Sequence, residues 1–341
     1  MSPPGLDLER LRAYLEAERP GMVEGPLRAE VIHGGHSNLT YRVTDGSETW
    51  VVRRPPLGHV LPTAHNMARE FRVISALGPT AVPVPHAELL CEDDEVVGAP
   101  FYVMAEVHGT VYRTAEQAGR LGPQRADALA RRLIDVLADL HDLDPGEVGL
   151  GDLGRPEGYL ERQLTRWRKQ LDASRSRPVD GIEELHERLT EHVPDSRLPH
   201  AILHGDYRLD NALVTDDDEI AAVVDWEMST LGDPLADLGL FAVYWDRAVA
   251  WPQGGLATAV RPDLGFPSSA ELCERYAERR GVDLSALPWY RAFGYFKVAV
   301  ILEGIHYRYV AGQTVGPDFE RLGDAVPHLV RLGHDALTDG E

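Results

Sequence analysis

The chain has 341 residues, with 34 Lys and Arg against 55 Asp and Glu, a formal net charge of −21. That surplus of acid excludes a generic nucleic-acid binder, which neutralises phosphates with surplus basic charge. Two cysteines exclude a disulfide framework or a zinc knuckle. Lys169 and Lys297 are the only lysines, so the other 32 basic residues are arginines. No apolar run reaches the roughly 18 residues of a membrane span, and the first residues lack the basic and apolar regions of a signal peptide. The expectation is a soluble, cytoplasmic chain of about two domains, monomer or homodimer, with no membrane or nucleic-acid partner.

In chain order, Leu6, Leu8, Leu11, Tyr14 and Leu15 fall at helical spacing and predict a leading helix over 6–19, ended by Pro20. Alternating β-rich stretches follow at 27–33, 39–44 and 48–54, then a helical pattern over Ala64–Leu77. Two more strand-like runs lie at 83–91 and 100–107. Beyond about residue 115 the period changes to that of long amphipathic helices, over 122–142, 156–172, 180–192, 234–248, 269–281 and 288–311. One β-rich island, Ala201–Asp225, interrupts them. Strands with one inserted helix, followed by a mostly helical half, imply an α+β, two-lobe chain. Its N-terminal lobe would be 1–107 and its helical lobe 108–341, with the seam near Val107–Thr110.

The island carries His204-Gly205-Asp206-Tyr207-Arg208-Leu209-Asp210-Asn211, then the strand Ile220–Val224, then Asp225-Trp226-Glu227. An Asp, an Asn five residues on, and a second Asp after a short strand form the pattern that phosphoryl transfer requires. Asp206 would orient or deprotonate an acceptor hydroxyl. Asn211 and Asp225 would be hard oxygen ligands for Mg2+ on the phosphates of ATP or GTP. Arg208, on the same loop, would offset charge on the transferring group.

Such chemistry needs three further parts in the first lobe. Gly34, Gly35, His36, Ser37 and Asn38 lie between two strands, where a loop could cover the phosphates, although a hairpin turn has the same composition. Val51-Val52-Arg53 places a cation on a strand, and Glu70 on the next helix is placed to pair with it. Strand alternation puts Arg53 and Arg54 on opposite faces without deciding which faces the cleft. In Phe101–Val107, backbone groups of Ala105 and Val107 could meet the adenine edge with Met104 behind the base; the same run also reads as a core strand.

With these residues in place, the chain resembles the aminoglycoside phosphotransferase and choline kinase-like family, a branch of the protein-kinase-like fold. The resemblance runs from Ile32 to about Val310. It is carried by LHGDYRLDNALV (203–214), VVDWEMSTLGDPLADLG (223–239) and VVRRPPLGHVLPTAHNMAREFRVISAL (51–77). The third block is similar in particular to kinase-like domains fused to acyl-CoA dehydrogenases. The resemblance implies a bilobal fold, with an antiparallel sheet and a helix in the small lobe. It also implies Asp206 as catalytic base, Asn211 and Asp225 as metal ligands, and His204 and Asp237 as supports of the catalytic loop. Trp226-Glu227 stands where protein kinases have Phe-Gly, and Arg53 stands where they have lysine. A planar guanidinium can bridge two phosphate oxygens or one carboxylate.

The acceptor is expected against Asp210, Glu227, Tyr244, Trp245, Glu303 and Tyr307. Acidic groups would suit an aminoglycoside, and an aromatic pocket with Trp289, Tyr290 and Phe293 would suit an acyl chain or a macrolide. Those three aromatics equally fit a core helix face. His59 and His65 could contact phosphate or acceptor, or lie at the surface. The subgroup resemblance adds hydroxylated acids carried on coenzyme A. The alternative is a nucleotide-binding pseudokinase with a regulatory or scaffold role.

Overall fold

A computed structural model describes residues 3–32, 38–57, 66–196, 198–250, 259–312 and 322–338. The chain divides into two units. The first is Met1–Gly109 with Leu213–Thr215 and Ala221–Ser229; the second is Thr110–Ala212, Asp216–Ile220 and Thr230–Glu341. A seam drawn near 107–110 does not anticipate the two later segments that group with the first unit. Hydrogen bonds account for one of them: Val223 N–H donates to the Pro83 carbonyl at 2.8 Å, and the Arg69 guanidinium donates to the Ser229 carbonyl at 2.7 Å.

The first unit is built on an antiparallel sheet of β1 (Arg28–Val31), β2 (Leu39–Thr44), β3 (Thr49–Arg54), β4 (Ala87–Cys91) and β5 (Phe101–Ala105), in the order β1-β2-β3-β5-β4. Its two faces follow from the period of two. Tyr41, Val43, Trp50, Val52, Phe101 and Val103 form one face and share a core with Leu11 and Leu15 of α1 (Leu8–Glu18). Val51, Arg53, Tyr102 and Met104 alternate onto the other, where Phe71 of α2 (Met67–Leu77) packs its ring on Tyr102. Helix α2 starts later than its apolar pattern because the Asn66 side chain accepts from Arg69 N–H at 3.0 Å and caps it. Strand β4 is shorter than the run 83–91, in which Pro83 and Pro85 lack an N–H for the ladder. A short helix α3 (Asp94–Val97) precedes β5.

The second unit is mostly helical: α4 (Ala115–Gly119), α5 (Pro123–Asp142), α6 (Tyr159–Ser174), α7 (Ile182–Glu191), α8 (Pro234–Ala250), α9 (Ser269–Arg280), α10 (Leu287–Val310) and α11 (Val326–Thr338). Helix α10 is its axis, with α6, α7, α8 and α11 packed on it. It buries residues all round, including Trp289, Tyr290, Phe293 and Phe296, as an apolar helix inside a fold does. A Cβ on Gly239 of α8 would lie 2.7 Å from the Tyr290 backbone, so glycine permits this close crossing of α8 and α10. Helix α11, strand β9 (Thr230–Gly232) and the short helix α4 add to the elements expected from periodicity. Strand β6 (Ala201–Leu203) pairs antiparallel with β9, so the chain between them leaves and re-enters at neighbouring points. Within that excursion β7 (Ala212–Val214) pairs with β8 (Ile220–Val223). No helix among the described residues is long and apolar enough to cross a membrane.

Candidate active site

In the first unit the polar face of the sheet centres on Arg53. Its Nε donates to Glu70 Oε2 at 2.8 Å and its Nη2 to Glu70 Oε1 at 3.3 Å, a bidentate pair. The same Nη2 donates to Asp225 Oδ1. Tyr102 Oη–H donates to Glu70 Oε2 at 2.8 Å, and Asn38 Nδ2–H donates to Glu227 Oε2 at 3.0 Å and Glu70 Oε1 at 3.4 Å. Glu70 is 1% exposed. Burial pushes its carboxyl up from the ordinary value, Arg53 pulls it back, and Asp225 adds to the rise. Burial works against the Arg53 charge too, but Glu70, Tyr102 and Asp225 outweigh it and hold the guanidinium above its ordinary range.

Register settles the choice between neighbouring arginines. Arg53 stands opposite Tyr102 on β5, on the face with Glu70. Arg54 points to the α1 side, where its Nη1 donates to the Val97 carbonyl at 2.8 Å and to the Gly5 carbonyl.

Asp225, two residues beyond the end of β8, lies in the left-handed region, at φ 71° and ψ 55°. An aspartate tolerates that turn better than most side chains, and the turn leads straight into Trp226, whose Nε1–H donates to the Val223 carbonyl at 2.9 Å. The turn gathers three carboxylates: oxygens of Glu70, Asp225 and Glu227 lie within 4.8 Å of one another. All of these donors are hard oxygens, the type that suits a divalent cation such as Mg2+.

Of the other positions expected to bind nucleotide, Gly34, Gly35 and Ser37 lie outside the described residues, as do His59 and His65. Met104 is buried on the Arg53 face of β5. Ala105 commits its N–H to the His86 carbonyl at 2.9 Å, so an adenine contact there cannot use that amide. Val107 follows the end of β5 and is half-buried.

In the second unit β6 runs into a loop whose backbone is clamped. Asp237, in the first turn of α8, accepts from His204 N–H at 2.6 Å and from Gly205 N–H at 3.0 Å, one oxygen each. Its carboxyl is nearly fully buried, which would raise it; His141, His204 and Lys297 reverse the sign and hold it below the ordinary value. Asp206 N–H donates to His204 Nδ1 at 3.2 Å, which makes Nδ1 the acceptor nitrogen of that ring. Gly205 has φ +83°, a conformation that favours glycine. Asn211 Nδ2 donates to the Asp206 carbonyl at 2.9 Å and to Asp206 Oδ2 at 3.2 Å. Both of these bonds turn the amide nitrogen to Asp206 and leave Oδ1, a hard oxygen, as the acceptor atom of the side chain. Arg208 Nη2 pairs with Asp210 Oδ2 at 2.8 Å, and its guanidinium carbon lies 5.2 Å from the Tyr244 ring centre.

Two residues expected to line an acceptor site lie inside the fold instead. Trp245 is 3% exposed, packs against Phe241 and Phe266, and donates from Nε1 to the Pro267 carbonyl at 2.9 Å. Glu303 has no exposed surface and accepts from Ser176 Oγ–H at 2.8 Å and Arg177 Nε–H at 3.3 Å. Asp210 is nearly buried, and burial pushes its carboxyl up despite Arg208. Glu227 joins the first unit's carboxylates, and Tyr307 is exposed. Trp289, Tyr290 and Phe293 are core residues of α10.

Sequence patterns miss three contributors that come from distant elements. Tyr102 completes the Glu70 site. His141 of α5 lies with Nε2 3.5 Å from Asp237 Oδ2 and Nδ1 2.7 Å from Tyr276 Oη. Lys297 of α10 donates from Nζ to the Gly205 carbonyl at 2.8 Å.

Comparison with known proteins bears on the family and the fold. Residues 28–287 match the family model described as the phosphotransferase enzyme family. The chain is 34% identical to human acyl-CoA dehydrogenase family member 11 over 336 residues, covering 96% of this chain and 42% of that protein. It thus spans less than half the length of that relative. A crystal structure of a Ralstonia eutropha JMP134 protein, described as a candidate aminoglycoside phosphotransferase, superposes with a TM-score of 0.83 at 32% identity and 98% coverage of both chains. The GDP and kanamycin complex of APH(2")-IIIa shares the fold at a TM-score of 0.60 and 15% identity, covering 98% of this chain and 99% of that one. With the match to the family model spanning most of its length, the chain belongs to the phosphotransferase enzyme family, with a kinase-like fold.

Proposed function

We propose that the chain is a small-molecule kinase. It transfers the γ-phosphoryl group of ATP or GTP to a hydroxyl, with Asp206 as base and Asn211 and Asp225 as Mg2+ ligands. The observation that carries this reading is the loop around Asp206. Asp237 holds the two preceding amides, and Asn211 holds both the backbone and the carboxylate of Asp206, so the carboxylate is aimed before substrate arrives. Its side chain is 26% exposed, enough to meet a hydroxyl.

When bound at Asn211 and Asp225, Mg2+ would offset the charge of the nucleotide phosphates. The protein's own steps are simpler. Asp206 accepts the hydroxyl proton as the acceptor oxygen attacks the γ-phosphorus and the nucleoside diphosphate leaves with the bridging oxygen. Arg208, steered by Asp210 and Tyr244, offers positive charge to the transferring group. Arg53, fixed by Glu70, serves the phosphates in place of a lysine. The APH(2")-IIIa complex with GDP supports a nucleoside triphosphate donor, and its kanamycin supports a hydroxyl-bearing small molecule as acceptor.

The test is transfer from Mg-ATP or Mg-GTP to a panel of hydroxyacyl-CoA, aminoglycoside and macrolide acceptors, with product detected by mass. A phosphorylated acceptor, lost when the metal is chelated, is expected. Binding of nucleotide with no transfer to any acceptor and no hydrolysis would move the chain to a binding role.

A further inference from the structure

We propose that Lys297 is a positioning residue that aims the Asp206 carboxylate by holding the Gly205 peptide; the inference rests on the reading of Asp206 as base. Lys297 sits on α10 between Phe296 and Val298, two buried apolar neighbours, and is itself only 9% exposed. Burying an ammonium costs several kcal/mol after relaxation, whereas a methionine of similar length would fill the same space without that cost. One of the chain's two lysines is therefore in a place that packing alone would give to an apolar side chain.

Its contacts say what it does there. Nζ donates to the Gly205 carbonyl at 2.8 Å and lies 5.5 Å from the centre of the Trp167 ring. Burial works against the charge; Asp206 and Asp237 favour it, and Arg166 opposes it. The Gly205 N–H is already held by Asp237 Oδ1 at 3.0 Å. Gly205 is thus gripped at both its N–H and its carbonyl, the first by a buried carboxylate and the second by a buried ammonium. This grip falls on a glycine at φ +83°, the backbone position with the most freedom in the loop. The carbonyl of Gly205 belongs to the peptide that leads into Asp206, so rotation of that peptide would swing the Asp206 side chain. The two grips close the swing from opposite sides. Lys297 also sets a positive charge where two carboxylates, Asp206 of the loop and Asp237 of α8, favour it.

A side chain that only filled space would be replaced by methionine without consequence for the loop. Two readouts on the full chain separate the possibilities. The first is hydrogen exchange in a peptide covering 203–208. Lys297→Met should speed exchange there by about tenfold or more while the rest of α10 stays protected, and Lys297→Arg, which keeps the charge and the donor, should not. The second is steady-state turnover of Mg-ATP or Mg-GTP with water as acceptor. Lys297→Met should lower kcat by about 10- to 100-fold with the nucleotide KM within about threefold, and Lys297→Arg should regain most of the loss. Unchanged exchange in a folded Lys297→Met protein would overturn the proposal, as would a kcat equal to wild type. If Lys297→Met does not fold, Lys297→Gln, which keeps an N–H donor without the charge, is judged by the same readouts. If the wild type neither hydrolyses either nucleotide nor transfers phosphoryl to any acceptor of the panel, the kinase reading fails, and exchange alone decides whether Lys297 holds the loop.

Discussion

Asp206→Ala should lower phosphoryl transfer by about 100-fold or more, the scale on which a general base contributes, and leave the nucleotide KM close to wild type. The geometry separates the two parameters. The loop is clamped through the backbone of His204 and Gly205 by Asp237, and neither bond involves the Asp206 side chain. Asn211 would lose its bond to Asp206 Oδ2 but keep the one to the Asp206 carbonyl at 2.9 Å, so its amide stays turned the same way. The change therefore removes the proton acceptor and its 3.7 Å ion pair with Arg208 Nε, while the backbone clamp stays in place. Steady-state rates of wild type and variant, with thermal melting as a check on folding, measure it. A variant with wild-type kcat would remove Asp206 from the chemistry.

Arg53→Met should have the larger effect on the protein itself. Glu70 is 1% exposed and receives two hydrogen bonds from Arg53, so removing the guanidinium leaves a buried carboxylate with Tyr102 and Asn38 as its remaining partners. Breaking a buried pair from one side costs about 3–5 kcal/mol. The loss should depend on pH with a definite sign. Burial already pushes the Glu70 carboxyl up, and without Arg53 it rises further. A group whose folded value lies above its unfolded value stabilises the fold when protonated, and that contribution is lost as pH rises. The variant should therefore melt closest to wild type in acid and fall furthest below it near neutrality. Arg53→Met combined with Glu70→Gln should recover part of the stability, because the carboxylate stranded in the interior is then gone and Asp225, which also loses Arg53, is partly exposed. Nucleotide binding should stay weak in both, since neither restores a cation for the phosphates. Equal stability of Arg53→Met and wild type across pH would show that the pair does not anchor the unit.

Local patterns carried much of this site. The Asp206, Asn211 and Asp225 spacing lies within twenty residues, and period-two alternation already separated Arg53 from Arg54. Which of the two meets Glu70 needed the register Arg53↔Tyr102, a pairing between strands nearly fifty residues apart. Helix α11 was legible in principle: Val326, Leu329 and Val330 recur at helical spacing and are buried. The supports were not. Lys297 and Glu303 lie on one helix and both end up buried, yet one reaches the loop around Asp206 and the other the Ser176–Arg177 segment. His141 looks like the end of an amphipathic helix until α9 brings Tyr276 to it. In each case a tertiary neighbour assigns the role, and no spacing encodes it.

The acid surplus also takes a clearer meaning. Arginines on α9 are spent on acids of α5: Arg275 meets Asp135 at 2.6 Å and Arg280 meets Asp142 at 2.7 Å. The scarce lysine is kept for the loop, and Arg53 stands on a strand where other kinases use lysine. An anionic nucleotide would then be managed by a few placed cations and a metal against an acidic background.

Following the γ-phosphoryl group itself tests the central claim most directly. The full chain would be given Mg2+, ATP or GTP carrying 18O in the γ-phosphoryl oxygens, and the acceptor panel, with products read by mass. The account predicts the label in a phosphate ester on an acceptor hydroxyl, formed only with metal present. Tight binding of nucleotide with the label remaining in the triphosphate, whatever the acceptor, would contradict it.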